Sequence, residues 1–406
     1  MGFYIKLAWR NIFRNKRRTF LTGLIIGIGL ASMIFTDASI VGMKENMISS
    51  ATSSFLGEAE IHREGFQESQ DNTMTIQDSD RIITMLKRDS RVKTFTERVI
   101  SFGTVSSPAD ISSVVIYGID GETEKAVSKI DESLTDGSYL TRPKGALIGA
   151  DLAEELESSV GDRIVLTVSK AETGELSQDL FTVSGIFKMH IKEMDSSMVL
   201  IRLDEAQKLI GVAGKIHEIA LQFQDIQYAR NSGKAFSQKY SLFGNKAETW
   251  PELVPELQYI LNMTDISIGI VVILVFAIII FGIINTLFMS LYERTFEFGV
   301  LRAVGTRPAQ MRNLIVFEAG SLALYSIILG MGLGFLVTFI GSVVGFDLTG
   351  VDLAGATFTG RIYTVFNLRQ FTLHPFLILV FTVLVSLYPA RHASKMSITD
   401  ALRRSL

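Results

Sequence analysis

The charged side chains with the most suggestive spacing lie in Glu293-Arg-Thr-Phe-Glu-Phe-Gly-Val-Leu-Arg-Ala-Val-Gly-Thr-Arg. Glu293 and Glu297 stand four apart, with Phe298 and Leu301 on a neighbouring helical arc, so a helix here has mixed charged and apolar faces. Such a helix suits docking into a protein groove or lying at a membrane surface; the plainer reading is an interfacial loop. Gly305 and Pro308 predict where it ends or turns. Two further ionisable residues fall inside apolar stretches, Asp37 and Glu318. Charges at such positions mark function by default, but both lie near a span end, and the expectation is solvated helix-end residues.

The parts needed for catalysis are missing. No G-x-x-x-x-G-K-[ST] phosphate loop occurs: Gly214-Lys215 and Gly233-Lys234 lack both the following hydroxyl and the upstream glycine. There is no H-E-x-x-H, and the five histidines (His62, His190, His217, His374, His392) are scattered. With no cysteine, neither a zinc or thiolate site nor a disulfide is expected. The reading is of a non-enzyme with no metal, no cofactor of its own and no nucleic-acid partner. Any energy must then come from another subunit.

The elements around that loop are apolar spans. Phe20–Val41 carries one acid and is long enough to cross a hydrocarbon core, and Ile266–Tyr292 contains no charge. The predicted layout is an amphipathic cytoplasmic segment 1–19, a first span 20–42, an outer domain 43–262, a second span with stalk 263–292 and an inner loop 293–313. A third span 314–345, an outer loop 346–370, a fourth span 371–388 and a tail 389–406 follow. The first span is longer than a signal-peptide core and no A-x-A-like site follows promptly, so it is expected to stay uncleaved. Lys6, Arg10, Arg14, Lys16, Arg17 and Arg18 precede it; Arg294, Arg302, Arg307 and Arg312 follow the second span; Arg391, Lys395, Arg403 and Arg404 follow the fourth. These segments share one side, predicting cytoplasmic termini and an outward large domain. That domain has 34 Asp and Glu against 23 Lys and Arg, an acidic balance that fits an outer position.

Within it, Glu58–Arg63, Thr94–Val105 and His217–Phe223 read as strands, and Ser79–Arg88 and 226–240 as helices. Two β-α-β halves of this kind make a split ferredoxin-like subdomain. A mostly β insert, about 106–215, has expected strands at Ser113–Ile119, Arg163–Val168, Phe181–Phe187 and Ser197–Ile201 and helices at Leu152–Ser158 and Asp204–Ile210. Pro251–Asp265 is expected to run as a helix, without a break, into the second span. The fold class expected is thus an α-helical membrane protein with four transmembrane helices and a large α+β outer domain. In the first span Gly23 and Gly27 have small-xxx-small spacing; with Gly269 and Gly282 of the second they suit close helix packing or, alternatively, a smooth groove for acyl chains.

The loop ERTFEFGVLRAVGTRPAQM resembles the E-R-x-x-E-[IF]-G-[IV]-L-[KR]-A-[LMV]-G signature of FtsX/MacB-like permeases of ABC transporters. LAWRNIFRNKRRTFLT near the start and YPARHASKMSITDALR near the end resemble other segments of that family, as do Ile148-Gly-Ala-Asp-Leu-Ala and Phe181-Thr-Val-Ser-Gly-Ile-Phe in the insert. The resemblance implies two permease subunits, identical or paralogous, over two separate ATPase subunits that bind ATP and magnesium. It makes 293–305 the coupling helix, with Glu293, Arg294, Glu297, Gly299, Leu301, Arg302 and Gly305 as ATPase-interface candidates. Trp9, Arg10, Asn11 and Arg14 match the segment along the inner membrane face, where basic residues and Trp also anchor by themselves.

It further implies transmission of force through a bacterial inner membrane to a periplasmic domain. The first expectation is a lipoprotein-releasing (LolC/LolE-type) permease that passes triacylated lipoprotein to a periplasmic carrier. Each buried CH₂ of an acyl chain is worth about 0.8 kcal/mol, so several chains do not leave a bilayer unaided. The alternatives are a MacB-like efflux permease with an adaptor and outer-membrane duct, and an FtsX-like regulator of cell-wall hydrolases.

Overall fold

The structure, a computed structural model, describes residues 9–11, 14, 16–225, 227–347, 352–353, 356–357 and 361–395. The remainder of the N-terminal segment, residue 226 at the start of an expected helix, residues 348–351, 354–355 and 358–360 of the outer loop and the tail beyond residue 395 lie outside the described residues, including the 396–403 part of the C-terminal motif. The chain divides into a helical unit and an outer unit, Asn46–Leu261 forming most of the latter.

Among the described residues four helices are long and apolar enough to cross a membrane: Lys16–Ala51, Pro255–Glu293, Pro308–Val344 and Leu368–Ser394. At about 1.5 Å per residue, the 39 residues of the second exceed a hydrocarbon core of about 30 Å. Local chemistry sets their ends. Asn367 caps the fourth span by accepting from the Arg369 amide at 3.0 Å, while Gln370 accepts from the Asn367 amide at 3.2 Å. Pro308 sits in the first turn of the third span, where a missing N–H costs nothing. From Pro255 the expected helix runs unbroken into the second span, but its start is corrected: Trp250–Leu253 forms a separate short helix, and Val254 (φ −128°, ψ 72°) interrupts before Pro255. The Pro255 ring disfavours a helical conformation at the residue before it.

The outer unit is one ten-stranded sheet. Its strands are β1 Ala59–Arg63, β2 Val92–Ser106, β3 Ile111–Ile119, β4 Leu134–Gly137, β5 Gly145–Gly149, β6 Arg163–Ser169, β7 Leu176–Phe187, β8 Met198–Arg202, β9 Glu218–Phe223 and β10 Asn245–Thr249. The order β10-β1-β9-β2 is a split βαβ arrangement, with helices Ser79–Arg88 and Gln227–Tyr240 as its crossovers. The insert does not form a separate sheet. The 15-residue β2 pairs with β9 along its first part, with β3 over Arg98–Ser106, and with β6 at its far end. Strand β6 alternates buried and open residues, with Ile164, Leu166 and Val168 inward, as a half-buried strand must.

Candidate functional site

The helical unit holds a polar cluster at the junction after the second span. Arg294 stands between Glu293, the last residue of that helix, and the short helix Thr295–Ala303. Its Nη1 lies 3.0 and 2.9 Å from the two carboxylate oxygens of Glu318 in the third span, and its Nε donates to Glu297 at 2.9 Å. Asn11 donates to Glu318 at 2.7 Å, and Arg14 pairs with Glu297. Two cations and two carboxylates thus alternate, which offsets the cost of partly removing them from water. Although burial would raise it, hydrogen bonds from Arg294 and Arg14 hold the Glu297 carboxyl below its ordinary value. Burial works against the Arg294 charge, but Glu318 and Glu297 outweigh it and raise that guanidinium. The cluster borders a cavity of about 190 Å³ that also meets Thr19, Thr22, Thr286, Ser290 and Glu293.

The short helix is clamped elsewhere too. Arg302 donates to the Ser394 carbonyl at 2.7 Å, and Phe298, 3% exposed, packs among Leu291, Met311, Ile315 and Ala390. Gly305 takes φ +100°, a conformation that favours glycine, and ends the helix. Arg294, Glu297, Gly299 and Arg302 are therefore turned toward the chain itself. Glu293, Leu301 and Gly305 are exposed, together with Phe296, Val300 and Val304 at four-residue spacing. That apolar stripe was missed in sequence reasoning, although its 296-300-304 spacing was available there.

Glu318 is a correction. Rather than a solvated helix end, it has a side chain only 13% exposed and is held by Arg294 and Asn11. Composition near a span end cannot reveal that a neighbouring helix break delivers a guanidinium. Asp37 likewise has a partner, the His374 ring of the fourth span at 3.5 Å. Trp9 and Arg10 are exposed.

The glycines separate into two kinds. A Cβ on Gly27 would lie 3.2 Å from the Gly330 amide nitrogen and 3.3 Å from the Ser326 carbonyl oxygen, and one on Gly23 would meet the Tyr325 ring at 2.7 Å. These two bring the first and third spans together. Among the described residues nothing lies within 4 Å of a Cβ built on Gly269 or Gly282, so neither glycine is required by a close contact there. Lys44, near the far end of the first helix, pairs with Asp265 of the second. No group of three or more candidate metal-ligating side chains exists among the described residues.

Comparison with known proteins accords with these features. The family model described as MacB-like periplasmic core domain matches residues 19–229, and that described as FtsX-like permease C-terminal matches 269–398. The chain is 22% identical over 231 residues to the lipoprotein-releasing system transmembrane protein LolC of Xylella fastidiosa, covering 55% of each chain. It is 21% identical over 316 residues to the LolC of Neisseria meningitidis, covering 74% of this chain and 75% of that one. It is 24% identical over 358 residues to the macrolide export ATP-binding/permease protein MacB of Vibrio parahaemolyticus, covering 84% of this chain and 53% of that one. The Xylella match thus spans about half the length of that relative. With four membrane helices, a split βαβ outer domain and both family models in register with them, the chain belongs to the MacB/FtsX family of ABC transporter permeases.

Proposed function

We propose that this chain is a permease subunit that receives force from a separate ATPase at helix Thr295–Ala303 and transmits it to the outer domain. The observation that carries this reading is the pairing of a rigid inner face with an open outer one. Arg294, Glu297, Phe298 and Arg302 fasten the helix to the bundle, while Phe296, Val300 and Val304 stand exposed for a partner groove. A helix so held passes displacement to the third span through Glu318 and to the fourth through Ser394. ATP and magnesium stay on two ATPase subunits, and a second permease, identical or paralogous, completes the assembly. Both termini face the cytoplasm and the outer domain faces the periplasm of a bacterial inner membrane, in keeping with the Lys and Arg distribution.

The cargo in this reading is an acylated lipoprotein, drawn from the bilayer and handed to a periplasmic carrier. The relatives named for lipoprotein release support it, as does the second span, where Gly269 and Gly282 leave smooth apolar surface for acyl chains. A second reading, efflux through an adaptor and outer-membrane duct, is favoured by the MacB-like match across most of the outer domain. Mass spectrometry of the native complex tests both. A separate ATPase with triacylated lipoprotein supports extraction, an adaptor without acylated cargo supports efflux, and the absence of any ATPase would sink the shared premise.

A further inference from the structure

The sheet of the outer unit carries a row of buried charges. Cross-strand register sets Glu60 opposite Glu248, His62 opposite Glu218 and Lys246, and Arg98 opposite Glu218, so these side chains share one face. Most are accounted for. Arg98, fully buried, donates to Glu124 at 3.0 and 2.7 Å and to Glu218 at 2.8 Å, and its guanidinium lies 3.8 Å over the Phe55 ring. Glu248 receives Lys246 at 2.8 Å and His62 at 3.0 Å. Glu60 is the exception. It is 3% exposed, yet among the described residues no Lys, Arg or His pairs with it, and its one hydrogen bond is from the Gln67 amide at 3.4 Å.

Glu60 faces a cavity of about 380 Å³ within the outer unit. Glu218 lies beside it, Phe66, Tyr117 and Met198 form walls, and Phe102 and Glu193 stand at the exposed end. Burial, reinforced by Glu218 and Glu248 and only partly offset by Arg98, holds the Glu60 carboxyl well above its ordinary value. Aromatic faces and a thioether favour a soft or cationic apolar guest. An anion would meet Glu60, Glu193 and Glu218; Arg98 also lines the cavity, but its guanidinium is already held by Glu124 and Glu218. A neutral guest gives Glu60 no reason to ionise, whereas a cation within reach of Glu60 and Glu218 favours the ionised carboxylate.

We propose that this cavity binds a protonated amine with an apolar body, its ammonium on Glu60 and Glu218 and its body between Phe66, Tyr117 and Met198. Where Glu60 is protonated before binding, its proton passes to water and the ammonium takes its place as the counter-charge. Volume and lining fall in the range of small-molecule sites. All of the lining residues belong to the outer unit.

The test is titration calorimetry of the full chain in lipid nanodiscs with three isosteric probes: 4-phenylbutylamine, 4-phenylbutanol and 4-phenylbutyrate. The amine is expected to bind at least about tenfold more tightly than the alcohol, the acid not measurably, with amine affinity rising up to about tenfold per pH unit while Glu60 remains protonated. Glu60→Gln, which mimics the neutral carboxyl, should bring the amine down to the affinity of the alcohol and leave the alcohol unchanged. Phe102→Ala, at the exposed end, should weaken both alike. Equal affinities for amine and alcohol, an amine signal unchanged in Glu60→Gln, or no saturable binding of any probe would each overturn the proposal.

Discussion

Arg294 spans both carboxylate oxygens of Glu318 with a single nitrogen, at 3.0 and 2.9 Å, while its Nε holds Glu297. One guanidinium thus ties the end of one helix to the flank of another. Arg294→Ala is expected to leave two partly buried carboxylates short of a cation and to destabilise the helical unit by about 2–4 kcal/mol. A double-mutant cycle with Glu318→Gln in chemical denaturation measures the coupling. A coupling below about 0.5 kcal/mol would mean the pair is incidental.

The stripe on the short helix separates binding from folding. Val300→Asp should reduce ATPase capture by the full-length permease more than about tenfold while leaving its unfolding transition within about 0.5 kcal/mol. Phe298→Ala should do the reverse, costing about 3–4 kcal/mol of stability through lost packing. If Val300→Asp keeps full ATPase binding, the docking face lies elsewhere.

Gly27 and Gly282 make a matched pair. Gly27→Leu forces side-chain atoms against the backbone of Gly330 and Ser326 and should cost at least about 1–3 kcal/mol. A Cβ on Gly282 meets nothing within 4 Å among the described residues, so Gly282→Ala should leave the monomer's thermal unfolding in place. A shift in the assembled complex alone would put Gly282 against a second subunit or an acyl chain.

His217 supplies a pH dependence with a definite sign. Its Nδ1 accepts the Ile100 amide at 3.1 Å and its Nε2 lies 2.9 Å from the Asn72 carbonyl, so the ring is neutral, donating from Nε2. Burial lowers its pKa despite the Asn72 carbonyl, so the unfolded state takes up the proton first. The stability contributed is present above the ordinary imidazole value of about 6.5 and is lost as pH falls through the folded one, by at most about 1.4 kcal/mol per pH unit. His62 runs the other way. Burial opposes its charge, but Glu248 prevails and raises its pKa, so its contribution is lost as pH rises. His217→Gln should therefore flatten the acid limb of stability against pH in denaturant titrations. An unchanged acid limb would show that His217 does not couple to folding.

The sequence made much of this legible because hydrophobic periodicity is a local signal. Ser79–Arg88 was expected as a helix at those bounds, and β2, β6 and β9 within a few residues. Strands β4, β5 and β10 were missed. Gly145-Ala-Leu-Ile-Gly is too short and glycine-flanked to show alternation, and Asn245-Lys-Ala-Glu-Thr is polar because its partner β1 also carries charges inward. The Arg294–Glu318 pair joins two helices across a break, and no spacing rule reaches across one.

Strand β1 lies between β9 and β10 in the sheet and pairs with both, from Glu218 onward on one side and Asn245 onward on the other. As the chain is synthesised, β1 emerges with both edges bare and waits for more than half the outer domain before either partner exists. The insert can fold meanwhile, but the β10-β1-β9 end of the sheet closes only when the segment next to the second span arrives. Nascent chains stalled before Glu218 should therefore be prone to edge-to-edge association and to proteolysis, whereas those that have cleared Thr249 should not.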